Sequence, residues 1–107
     1  MSTQPYVINA CTIVVKLENV DKLLAALTKN AAAVKEKEPR CLMYEFFQPE
    51  NAEEIVLLEK FPKMEDFYVH LEQPHTQAFL KEAETLMEGE PKVRLSNGPN
   101  GQGGFAR

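Results

Sequence analysis

Cys41-Leu42-Met43-Tyr44-Glu45-Phe46-Phe47-Gln48 and Glu54-Ile55-Val56-Leu57-Leu58-Glu59-Lys60-Phe61 are apolar runs rich in aromatic and β-branched residues, separated by Pro49-Glu50-Asn51-Ala52-Glu53. Runs of this length and composition predict strands, and a Pro, an Asn and acids in a row supply turn chemistry between them. The stretch therefore reads as a β-hairpin.

Upstream, Tyr6 to Lys16 is rich in β-branched residues and predicts another strand. Asn19 is placed to cap a helix in which Val20, Leu23, Leu24, Leu27, Ala31 and Val34 recur at helical spacing. That helix is expected over about Val20 to Glu38, with Pro39 ending it. Downstream, Pro62 suits the first turn of a helix carrying Met64, Phe67 and Leu71 as its apolar stripe. Pro74 interrupts it, and a segment from about His75 continues with Phe79, Leu80, Ala83, Leu86 and Met87. Gly89 fits the left-handed position after a helix end, and Lys92 to Leu95 predicts a short last strand.

The order β-α-β-β-α-β is the split arrangement of ferredoxin-like α+β folds, with a four-stranded antiparallel sheet. Residues 1–95 form the expected domain. The remainder, 96–107, holds four of the five glycines and is expected to be a flexible tail. A Gly-rich stretch cradles phosphate only where it joins a strand to a helix, and this one does not.

Two helices cover one face of such a sheet, and the other should be polar if it meets water. Here both faces are apolar. In the first strand Val7, Cys11, Ile13 and Val15 alternate with Ile8, Ala10 and Val14. In the hairpin Ile55, Leu57 and Phe61 alternate with Val56 and Leu58, and Leu42, Tyr44 and Phe46 with Cys41, Met43 and Phe47. The simplest cover for the second face is the same face of another copy, which predicts a homodimer. A chain of 107 residues buries only about two-thirds of its unfolded surface, so pairing would also add stability.

The net charge of −4, with Lys and Arg interleaved among acids, argues against a nucleic-acid partner. No apolar run approaches the roughly 18 residues of a membrane span. Met1-Ser2-Thr3-Gln4-Pro5 lacks the features of a signal peptide, so a cytoplasmic location is expected. Cys11 and Cys41 sit in strand-like runs and read as small buried hydrophobes.

Polar residues inside apolar runs are the candidates for chemistry. Asn9 is either a satisfied strand amide or a donor reaching into a pocket. Glu59 shares a face with Ile55, Leu57 and Phe61, so it is either a structural ion-pair member or a base in apolar surroundings. Tyr44 either packs its ring or donates to a ligand. His70 and His75 are the only histidines. Five residues apart, they would lie well apart around one helix, and Pro74 breaks the geometry further. They form a weak metal signal, since no third ligand is near. As neutral imidazoles they are candidate bases, with capping or surface roles as the alternative.

Glu38-Pro39-Arg40-Cys41-Leu42-Met43-Tyr44 resembles the Glu-Pro-Gly-Cys-Leu-x-Tyr signature of the antibiotic-biosynthesis monooxygenase family. Leu57-Leu58-Glu59-Lys60-Phe61 resembles its third strand, and His70-Leu71-Glu72-Gln73-Pro74-His75 its His-Leu-x-x-Pro-His helix segment. The resemblance implies a dimeric α/β barrel. For some members it implies oxidation of quinols or anthrones by O₂ with neither metal nor flavin, so no cofactor is expected. His70 would then act as the base, with His75 or Glu59 as the alternatives. Asn9 and Tyr44 would be donors to the substrate, with Phe46, Phe61 and Phe67 lining its pocket.

Arg40 stands where the family usually has Gly, and Phe61 where it has Trp. Haem-degrading relatives pair a strand-one Asn with a helix Trp and a later His. Only Asn9 matches here, so haem degradation is not indicated. Alternatives are a non-oxidative isomerase on the same fold, which would need a phosphate clamp, and a non-catalytic ligand-binding barrel. No Arg pair near the motifs supplies such a clamp.

Overall fold

The hairpin forms where the sequence places it. In a computed structural model that describes residues 6–98 and 100–107, β2 (Met43–Phe47) and β3 (Glu54–Phe61) pair antiparallel, with Tyr44 opposite Glu59 and Phe46 opposite Leu57. Asn51 takes the turn's left-handed position at φ 57°, which Asn tolerates better than most residues. Residues 1–5, and with them the reading of Met1–Pro5, lie outside the described residues.

The remaining elements are β1 (Val7–Val14), α1 (Leu17–Lys37), α2 (Met64–Glu72), α3 (Pro74–Leu86) and β4 (Lys92–Asn97). The sheet order is β2-β3-β1-β4, and every pairing is antiparallel. This is the expected ferredoxin-like α+β sheet, with the second helix of the pattern divided into α2 and α3. The division falls at Gln73, whose extended backbone precedes Pro74 at the start of α3. Gly89 adopts φ 73° in the turn between α3 and β4.

Boundaries differ where local rules mislead. Helix α1 starts at Leu17 rather than Val20, and Asn19 lies inside it instead of capping it. Its capping acceptor comes from another part of the chain, as the Glu53 carboxylate accepts the Leu17 N–H at 3.2 Å. Pro62 precedes α2 without joining it, because the helix begins at Met64 after an extended Lys63. Strand β4 continues past Leu95 to Asn97, and Gln102 donates to the Tyr6 carbonyl at 2.8 Å. Phe105 is 83% exposed.

The helices cover the sheet face that carries Val7, Asn9, Cys11 and Ile13 of β1 and Ile55, Leu57, Glu59 and Phe61 of β3, all buried. The register places Tyr44 and Phe46 of β2 on that same face. Cys11, Ile13, Ile55 and Leu57 pack there against Val20, Leu23 and Leu27 of α1 and Phe79 and Ala83 of α3. On the other face Ile8, Ala10, Val56 and Leu58 are half-buried, while Val14 and Phe47 are 45% and 49% exposed. Among the described residues, no helix is long and apolar enough to cross a membrane.

Candidate active site

Glu59 sits at the centre of the covered face, one pair in from the end of the β2–β3 ladder. Antiparallel register sets Asn9 opposite it on β1 and Tyr44 opposite it on β2. The Asn9 amide donates to Glu59 Oε1 at 2.7 Å. From above, His70 in the last turn of α2 brings Nε2 to 2.9 Å from Glu59 Oε2. Asn9, Glu59 and His70 are 3%, 3% and 2% exposed, so these groups interact in a dry interior.

The chain of contacts continues. His70 Nδ1 lies 2.8 Å from Oε1 of Glu38, and His75 Nε2 lies 2.5 Å from the other oxygen of Glu38. Glu38 is the residue at which α1 ends. Its N–H still donates to the Val34 carbonyl, while Pro39 forbids another helical turn. That stop directs a buried carboxylate at α2 and α3 together. Asn9, Glu59, His70, Glu38 and His75 thus form one unbroken chain, and both oxygens of each carboxylate are used.

Burial disfavours a charged His70, but the carboxylates of Glu59 and Glu38 outweigh burial and raise its pKa above the ordinary value. With a carboxylate oxygen on each ring nitrogen, the geometry favours the protonated imidazole, donating from both. The Tyr44 ring meets it edge-on at 5.8 Å and Phe61 packs on it at 5.3 Å. Tyr44 accepts a hydrogen bond from Asn30 at 3.0 Å, leaving its own O–H to donate. Burial pushes the Tyr44 phenol up and holds it neutral. Burial likewise raises the thiols of Cys11 and Cys41, to about 11 and about 12, which suits inert core cysteines.

A cavity of about 250 Å³ opens against this polar centre. Asn9, Tyr44, Glu59 and His70 line its polar side, and Phe67, Leu71, Phe79, Ala83 and Met87 are among the apolar residues that complete it. Two buried atoms on the lining residues, Asn9 Oδ1 and Thr76 Oγ1, have no hydrogen-bond partner among the described residues. Unpaired buried polar atoms are rare, and a ligand hydroxyl in the cavity would satisfy them.

Of the residues singled out in the sequence, Asn9, Tyr44, Glu59, His70 and Phe67 line the cavity. Phe61 lies outside the lining and braces Phe67 and His70. Phe46 packs against the larger core cluster. His75 faces a different hollow, yet it and His70 meet on one carboxylate, contrary to the separation their spacing predicts. Glu38 and Thr76 were not singled out, although Glu38 opens the Glu-Pro signature. Among the described residues no group of three or more His, Cys, Asp or Glu is disposed to hold a metal ion.

Arg40 answers to a purpose of its own. Its Nε and a terminal guanidinium nitrogen donate to the two carboxylate oxygens of Asp66, each at 3.1 Å. This fork ties the turn after Glu38 to the first turn of α2.

Fold and site together define a ferredoxin-like α+β protein with a buried carboxylate–imidazole chain on the wall of an apolar cavity. Residues 6–82 match the sequence profile of antibiotic biosynthesis monooxygenases, and the chain belongs to that family. Among solved structures it is similar to a candidate antibiotic biosynthesis monooxygenase from Caulobacter crescentus. The two are 22% identical over 88% of this chain and 90% of that one, with a TM-score of 0.82. A candidate of the same name from Nitrosomonas europaea is 18% identical over 96% of this chain and 100% of that one, at TM-score 0.83. A conserved protein from Methanosarcina mazei Go1 is 18% identical over 87% and 92%, at TM-score 0.80. At these identities the likeness is one of fold. Among curated proteins none matches the chain.

Proposed function

We propose that the protein is a cofactor-independent monooxygenase that oxidises a small quinol- or anthrone-like aromatic with O₂, acting as a homodimer. The observation that carries this reading is a carboxylate, Glu59, held by Asn9 and His70 on the wall of an otherwise apolar cavity. An apolar cavity of about 150 Å³ accepts benzene. The 250 Å³ found here suits an aromatic ring with substituents.

In this reading the substrate supplies the electrons. Glu59 takes a phenolic or ring-activated C–H proton, leaving an electron-rich anion. The Tyr44 hydroxyl stabilises the oxyanion, and the dry wall strengthens the effect. The anion passes one electron to O₂, giving superoxide and an organic radical. These recombine as a peroxide anion at carbon, which takes the proton back from Glu59; water then leaves with the hydrogen of that carbon, and a new carbonyl remains. One oxygen atom enters the product and the other leaves as water.

Oxygen uptake by protein freed of metals, measured against hydroquinones and anthrones, tests the proposal. Wild type should exceed the uncatalysed rate, and Glu59→Gln should lower kcat by about 10²-fold or more, within the range of general-base effects. Ligand binding without uptake by folded wild-type protein would instead favour a binding barrel.

A further inference from the structure

A base buried in a ligand-filled apolar cavity faces a problem of disposal, because water cannot reach it to collect the proton. We propose that Glu38 and His75 form the outlet by which the chain releases a proton to water when Glu59 takes one from the ligand. The proposal rests on Glu59 being the group that ionises the ligand.

The geometry is continuous from the cavity to a second hollow. Glu59 lines the cavity; His70 links it to Glu38 at 2.9 and 2.8 Å; Glu38 reaches His75 at 2.5 Å. His75 does not line the cavity. It lines the second hollow, of about 110 Å³, together with Lys29, Asn30, Phe79 and Glu82. Its side chain is 13% exposed against 3% for His70, so contact with water rises along the chain toward His75. A purely structural Glu38 would be satisfied by His70 and backbone donors. A second imidazole on its other oxygen, at the edge of solvent, is what a relay requires.

The protons balance. A ligand O–H breaks and Glu59 gains the proton. The His70 Nδ1–H bond breaks as Glu38 gains a proton, Glu38 passes one to His75, and His75 passes one to water, so that Glu38 and His75 end as they began. The ligand anion and a neutral His70 remain, and one proton has left. A proton returning from solvent through His75 and Glu38 restores His70, and Glu59 is freed when it gives its proton to the ligand peroxide.

The test mixes protein with 4-nitrocatechol in weakly buffered solution by stopped flow. The probe's absorbance reports ionisation, and pyranine fluorescence reports protons reaching bulk water. Wild type should ionise the probe and release protons on one timescale. His75→Ala and Glu38→Gln should slow release by about 10-fold or more, at the low end of proton-transfer effects. Imidazole added at millimolar concentration should restore the rate in His75→Ala, where it can fill the vacated space, and not in Glu38→Gln. Release at the wild-type rate in His75→Ala, or a slow rate that imidazole leaves unchanged, overturns the outlet. Probe that binds wild type without ionising overturns it as well. Ionisation and His75-dependent release in a protein that consumes no O₂ would sink only the oxidation reading.

Discussion

Asn9 and Glu59 face each other across β1 and β3, and the amide holds the carboxylate at 2.7 Å in a site from which water is excluded. An Asn in the middle of a strand is unfavourable for pairing, so its presence here is explained by what it touches.

Replacing Asn9 by Leu keeps the volume and removes the donor. Glu59 then retains only His70, and the lost hydrogen bond to a charged group costs about 1.5–3 kcal/mol. Urea unfolding should show that loss as a lower midpoint with an unchanged slope. A midpoint equal to wild type would mean that the amide contributes nothing to the carboxylate.

Stability should carry a pH signature from His70. Its folded pKa is raised above the ordinary value of about 6.5 by Glu59 and Glu38 against the opposing effect of burial. Its contribution is therefore complete below about pH 6.5 and fades as pH rises through the elevated folded value. His70→Gln leaves two buried carboxylates without their cation and should cost about 3–5 kcal/mol at pH 6. The gap between wild type and variant should narrow toward alkaline pH. A gap that stays constant from pH 6 to pH 10 would show that His70 is not charged in the folded protein.

The open sheet face should decide the state of assembly. Val14 and Phe47 are exposed on it beside half-buried Ile8, Val56 and Leu58, a run of apolar surface that soluble monomers seldom leave bare. Light scattering should give wild type a mass twice the 12.1 kDa of the chain. The double variant Val14→Glu, Phe47→Glu should return the single-chain mass while remaining folded. Wild type at the single-chain mass would remove the homodimer from the proposal.

Strand parity made much of the site legible in advance. Glu59 falls in step with Ile55, Leu57 and Phe61, and that alternation alone assigns it to the covered face. Asn9 follows from the same rule on β1. Glu38 was not visible in this way, because a residue in the last turn of a helix beside Lys35 and Lys37 reads as surface. Only the packing of that helix end against α2 and α3 buries it. The two histidines were hidden for a related reason. Helical spacing separates them on one axis, whereas the break at Gln73 gives each its own. The α1 cap failed similarly, since capping rules look along the chain and Glu53 arrives from the hairpin turn.

Phe79 borders both hollows, one lined by Glu59 and the other by His75. Of the residues lining either hollow, Phe79 alone lines both. A change in the bulk of that one ring would alter the shape of the larger hollow and the surroundings of His75 together.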